Sequence, residues 1–191
     1  MIANTLPNLK KRLAKNYKKQ IYMSIEAAIV GLIAFRFGYK TALHAKGALP
    51  FFGGIWCMAN ALIVLFAFID STLSSAKHRF ICTVIGCFVA LLLCISIGPS
   101  YFAMFFGVAL TVLASHVFGF EKGARVSSCV AAVIIGIGIL APTYNPFMNT
   151  LLRFIESSFG ILFALMAVYL SYALKVREYT KPKKAKPKKP T

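Results

Sequence analysis

A chain of 191 residues that is 59% hydrophobic, with a mean hydropathy of +0.73, is too apolar for a soluble domain, where about 45–50% is usual. The formal charge of +17 is concentrated at the ends: of 22 Lys and Arg, six fall in residues 1–20, only eight in the long middle 21–174 and eight in 175–191. Neither base-stacking aromatics nor a folded reader accompanies the basic tail, which argues against nucleic acid as a partner and makes the bilayer the solvent.

The head, LKKRLAKNYKK, makes residues 1–20 a basic, water-facing arm. No small-residue cleavage site follows the first apolar run, so a removed signal peptide is not expected. A helix needs about 20 mostly apolar residues to cross the hydrocarbon core. Six apolar runs are read as spans, at 21–37, 51–69, 80–97, 101–120, 126–140 and 151–174. They are separated by KTALHAKGALP, DSTLSSAKHR, GPS, EKGAR and APTYNP, where Gly, Pro, polar residues or charges interrupt the pattern. The fold class predicted is all-α: a polytopic membrane domain, 21–174, of six transmembrane helices in three hairpins.

Lys and Arg favour the cytoplasmic loops. Lys77 and Arg79 lie in one break and Lys122 and Arg125 in another, whereas GPS and APTYNP carry no basic residue. This pattern puts both termini in the cytoplasm, with Lys40 and Lys46 of the first outer loop running against it. The tail, 175–191, contains KPKKAKPKKP, whose prolines forbid a continuous helix and whose lysines repel one another. It is expected to be disordered and to lie against anionic lipid of the inner leaflet, at about 1 kcal/mol per basic residue.

Five cysteines, Cys57, Cys82, Cys87, Cys94 and Cys129, fall inside the runs with no CxxC pair, and read as buried small hydrophobes. His44, His78 and His116 are too scattered for a metal site. No hydrolase elbow, phosphate-cradling loop or exposed pair of carboxylates is present, so neither catalysis nor a metal or other cofactor is expected.

The last run opens LLRFIESSFG, with two charges where hydrocarbon is the destination. At helical spacing Arg153, Glu156, Ser157, Gly160, Ala164, Ala167 and Ser171 share one face, charged at its outer end and small below. Phe154, Ile155, Phe159, Ile161, Leu162 and Met166 fill the opposite arc. Small faces allow close helix approach in lipid, so this helix is read as facing the bundle. The spacing Arg153, Ser157, Gly160, Ala164 recurs as Arg79, Thr83, Gly86, Ala90, and more loosely as Arg125, Cys129, Ala132, Gly136. Repeated stripes of this kind fit either an internally repeated architecture or helix packing alone.

AKHRFICTVIGCFVALLL, with Arg, Thr and Gly opening a helix, and LLRFIESSFGILFAL, with Arg, an acid and Gly, resemble the membrane unit of the fusaric acid resistance and aromatic acid exporter superfamily over about residues 20–175. The resemblance implies export of small, often aromatic, weak acids across the bacterial inner membrane. Members of that superfamily are commonly larger, and a homo-oligomer would supply a missing second unit. On this reading Arg153 contacts a substrate carboxylate beside Ser157, and Glu156 alternates between ion pair and protonated acid. Glu26, in YMSIEAAIVGL, is a second candidate proton carrier. The blander readings stay open: an i,i+3 pair anchoring a helix end, Glu26 paired with Lys18, Lys19 or water, and Arg79 as a topology determinant. The rival function is a membrane scaffold or accessory subunit that transports nothing.

Overall fold

The structure is a computed structural model that describes residues 6–45, 47–66, 72–141 and 145–174, with side chains from Gln20 onward apart from Thr72 and Lys122. These residues form six α-helices and no strand: α1 (Leu6–Leu43), α2 (Pro50–Leu65), α3 (Thr72–Ser96), α4 (Tyr101–Val117), α5 (Ala124–Leu140) and α6 (Pro146–Ala173), with a 3-10 turn at Glu121–Gly123 before α5. Three stretches are long and apolar enough to cross a membrane: Gln20–Leu43, Leu73–Ser96 and Pro146–Ala173. The helices Pro50–Leu65, Tyr101–Val117 and Ala124–Leu140 are apolar but shorter. The tail 175–191 and residues 142–144 of APTYNP lie outside the described residues.

Three helices begin five or more residues earlier than hydropathy predicts. α1 starts at Leu6, inside the segment read as an arm. α3 starts at Thr72, so most of the polar break DSTLSSAKHR is helical. α6 starts at Pro146, where the Asn145 side chain accepts a hydrogen bond from Phe147 N and proline occupies the first turn. Hydropathy locates the lipid-compatible part of a helix, but capping and propensity fix where the helix begins. The turns into α4 use the same chemistry: Gly98 takes φ 76°, and Ser100 Oγ accepts from Ala103 N.

The hairpins are not the packing units. α1 and α2 form an antiparallel pair, but α6 packs on α2 and only lightly on α5. Two triplets result: α1, α2 and α6 around Ala34, Cys57, Ala61 and Ala164, and α3, α4 and α5 around Ala90, Ala103, Ala131 and Ile134. α3 and α6 join them along a shared seam. The ring centroids of Phe80 and Phe154 are 5.5 Å apart and Cys87 Sγ lies 4.0 Å from the Thr150 carbonyl, so the two helices run antiparallel.

The contacts repeat about that seam. A Cβ on Gly160 of α6 would strike the Cys57 carbonyl and Asn60 Cβ of α2, and a Cβ on Gly86 of α3 would strike the Ser127 carbonyl and Val130 Cβ of α5. One constant shift in numbering carries Cys57 and Asn60 onto Ser127 and Val130, and another carries Gly86 onto Gly160. The same two shifts carry Gly53, which abuts Glu156, onto Gly123, which abuts Cys82. The bundle is therefore an inverted repeat in which α1–α3 matches α4–α6 and each half lends its third helix to the other, an arrangement found in transporters.

Of the small-residue stripes, Thr83, Gly86, Ala90, Ser157, Gly160 and Ala164 are buried. The third copy is not part of the packing. Arg125 and Cys129 are exposed, Ala132 and Gly136 are half-buried, and a Cβ on Gly136 would meet only Met104 at an ordinary 3.5 Å. That face of α5 points outward because Ser127, Val130, Ala131 and Ile134 supply its inward face. Cys57, Cys82, Cys87 and Cys94 are buried as expected, but Cys129 shares the outward face and is exposed. On α6, Ile161 lies inside rather than on the outer arc, and Ala167 is half-buried.

Candidate functional site

Starting α6 at Pro146 places Arg153 and Glu156 about 10 and 15 Å along the helix rather than at its end. Both are buried, at 1% and 0% exposure, and Arg153 Nη1 lies 2.7 Å from Glu156 Oε2. Two such charges, removed from solvent, each cost several kcal/mol unless paired, which their mutual contact answers. Phe52 of α2 faces the guanidinium, with Cζ 5.6 Å from its ring centroid. The other carboxylate oxygen, Glu156 Oε1, lies in the space that a Cβ on Gly53 would need. Glycine at 53 is thus what lets a charged α6 sit directly on the α2 backbone.

A polar belt continues from the pair across α2 to α3. Trp56 Nε1 donates to Ser157 Oγ at 2.9 Å, Asn60 Nδ2 donates to the Trp56 carbonyl at 2.7 Å, and Asn60 Oδ1 accepts from Arg79 Nε at 2.9 Å. Arg79 and Arg153 are equivalent positions of the inverted repeat, so the belt links one to the region of the other. On the far side of Arg153, one turn earlier on α6, Asn149 Nδ2 donates to the Ile134 carbonyl at 2.9 Å, and its buried Oδ1 has no hydrogen-bond partner among the described residues.

Glu26 is brought elsewhere. It is 8% exposed and accepts from Ser171 Oγ at 2.5 Å, with Tyr22 Oη 3.3 Å from the same hydroxyl. Ser171 stands about 22 Å along α6 from Glu156, so the two carboxylates do not share one site. Among the described residues no group of His, Cys, Asp and Glu is placed to hold a metal ion.

The sequence singles out Arg153, Glu156, Ser157 and Glu26 as candidates, and its pattern passes over Trp56, Asn60 and Asn149, which the structure places beside Arg153 and Arg79. Asn60 was detectable: a buried asparagine in the middle of an apolar run needs a partner as an ionisable group does. Trp56 was not, because an interfacial tryptophan and a buried hydrogen-bonding one look the same in sequence.

An all-helical bundle with three helices long and apolar enough to cross a bilayer is the architecture of a membrane protein. The chain belongs to the family described as fusaric acid resistance protein-like, whose pattern it matches over residues 28–167. That match spans α2 to α5 whole and includes Arg153, Glu156 and Ser157; Glu26 falls just before it. Neither a curated protein nor a solved structure was found to match the chain.

Proposed function

We propose that this protein exports small aromatic weak acids across a bacterial inner membrane, coupled to protons. The observation that carries the reading is the Arg153–Glu156 ion pair, buried where α6 crosses α2. With Glu156 ionised, Arg153 is neutralised within the protein. A proton taken up by Glu156 releases the guanidinium, whose planar fork matches a carboxylate, with Ser157 as a neighbouring hydroxyl. Loss of that proton expels the substrate anion by restoring the pair. Glu26, hydrogen-bonded to Ser171, is the second proton carrier.

The proposal includes six membrane crossings with both ends in the cytoplasm, the arrangement in which Lys77, Arg79, Lys122 and Arg125 lie inside. A homo-oligomer completes the transport path, and the Lys-rich tail rests on anionic lipid.

The test uses cells lacking their own weak-acid exporters, expressing the wild type, Arg153→Ala or Glu156→Gln at matched membrane levels and challenged with a panel of aromatic carboxylic acids. The wild type is expected to lower accumulation of at least one acid, and both variants to lose that effect. If no acid is exported, the rival role of scaffold or accessory subunit stands instead.

A further inference from the structure

The end of the bundle where α3 and α5 begin holds a cavity of about 360 Å³, lined by Ser74, Ser75, His78, Arg79, Gly123 and Val126 among others. That size falls within the about 300–1,000 Å³ usual for small-molecule sites. It lies at the repeat's counterpart of the Arg153 site, and the two differ in one respect that decides their chemistry. At the Arg153 site the residue against the small-residue gap is Glu156, and the protein supplies its own carboxylate. At the Arg79 site the equivalent residue against Gly123 is Cys82, a thiol. Among the described residues no carboxylate pairs with Arg79, and none lines the cavity.

Arg79 is nevertheless held in place. Its Nε is fixed by Asn60 Oδ1, and neither terminal guanidinium nitrogen has an acceptor among the described residues. His78 is oriented by Nδ1, 2.7 Å from the Ser74 carbonyl, and by an edge contact with the Phe120 ring. The hydroxyls of Ser74 and Ser75 stand in the opening turns of α3, where the helix dipole favours an anion. A cation whose two terminal nitrogens have no acceptor among the described residues, in a cavity bordered by hydroxyls and with a thiol where its counterpart has a carboxylate, has the chemistry of a carboxylate receptor.

We infer that this cavity binds a small organic carboxylate, with Arg79 as the anion-binding group and Ser75 on its wall. The inference rests on the transport reading for its biological meaning: the site is the cytoplasmic loading point for the acid that Arg153 meets further along.

The probe is benzoate, with benzyl alcohol as its uncharged analogue, titrated into the purified protein in detergent micelles. Trp56 is the chain's single tryptophan and its carbonyl holds Asn60, the partner of Arg79, so its fluorescence reports on the site. Calorimetry gives a second, non-optical reading. Benzoate is expected to bind saturably and benzyl alcohol at least tenfold more weakly. Arg79→Gln is expected to weaken benzoate at least tenfold. Ser75→Leu fills the cavity and leaves the Arg79–Asn60 bond in place, so it is expected to do the same even if Arg79→Gln does not fold. Elution volume and ligand-free Trp56 emission serve as folding controls. A wild type that does not bind benzoate overturns the inference, as do well-folded variants that bind it like the wild type. Export assays on the same variants separate the two readings. Binding that depends on Arg79 without export by the wild type leaves the site standing and removes the transport reading; export without Arg79-dependent binding does the reverse.

Discussion

Glu156 Oε1 stands where a Cβ on Gly53 would have to be, so the ion pair of α6 and the glycine of α2 are one packing unit. A methyl group at 53 would also meet Ala42 Cβ and the Gly38 carbonyl on α1. Gly53→Ala is therefore expected to destabilise the protein by about 1–3 kcal/mol, the usual cost of overpacking. Combined with Glu156→Ala, its cost should fall below the sum of the two single changes, because one collision has been removed. Denaturant titrations in detergent of the four proteins of the cycle decide this; strict additivity would show that the two residues do not touch.

The ion pair itself yields to the same design. Removing Arg153 alone strands a buried carboxylate, expected to cost about 3–5 kcal/mol. Arg153→Ala with Glu156→Ala leaves no stranded charge and should be the more stable of the two variants. A double variant less stable than Arg153→Ala would mean that the pair is solvated in the native protein, contrary to its 1% and 0% exposure.

The inverted repeat makes a comparative prediction. Gly86→Ala and Gly160→Ala each push a methyl group into a backbone carbonyl of the neighbouring helix, whereas Gly136→Ala meets only the flexible end of Met104. The first two should lower the melting temperature measured in detergent by several degrees. The third should leave it unchanged or raise it, since alanine is the better helix former by about 1 kcal/mol. Equal losses at all three positions would remove the distinction between the two inward stripes and the outward one.

Cysteine accessibility checks the rotation of α5. Cys129 is exposed and the other four cysteines are buried. A small membrane-permeant maleimide should add one label to the native protein in detergent and five after denaturation, counted by intact-mass spectrometry. A native protein labelled at Cys82 or Cys87 before Cys129 would place α5 differently.

Much of this architecture was present in the order of the residues. Apolar runs bounded by Gly, Pro and charge located six helices, since a helix satisfies the backbone of a continuous apolar run within the run itself. The face joining Arg153, Glu156, Ser157, Gly160 and Ala164 followed from helical spacing alone, and so did the matching stripe from Arg79 to Ala90. Helix starts were less legible: Pro146 and Thr72 open their helices through capping and propensity in polar residues that hydropathy counts as loop.

What the sequence could not determine is which helices meet. Hairpin neighbours are the natural expectation from short loops, yet α6 packs on α2 more than on α5, and α3 on α5 more than on α4. That exchange depends on where a glycine on one helix faces a backbone on another, a matter of three-dimensional fit between residues far apart in the chain. It turned Arg153 and Glu156 from a plausible end anchor into a buried pair, and sent Glu26 to Ser171 instead of to that pair. It also made Arg79 the counterpart of Arg153 and the third stripe, from Arg125, an outward face. Local spacing decided the faces of the helices, and close packing of small residues decided which faces were brought together.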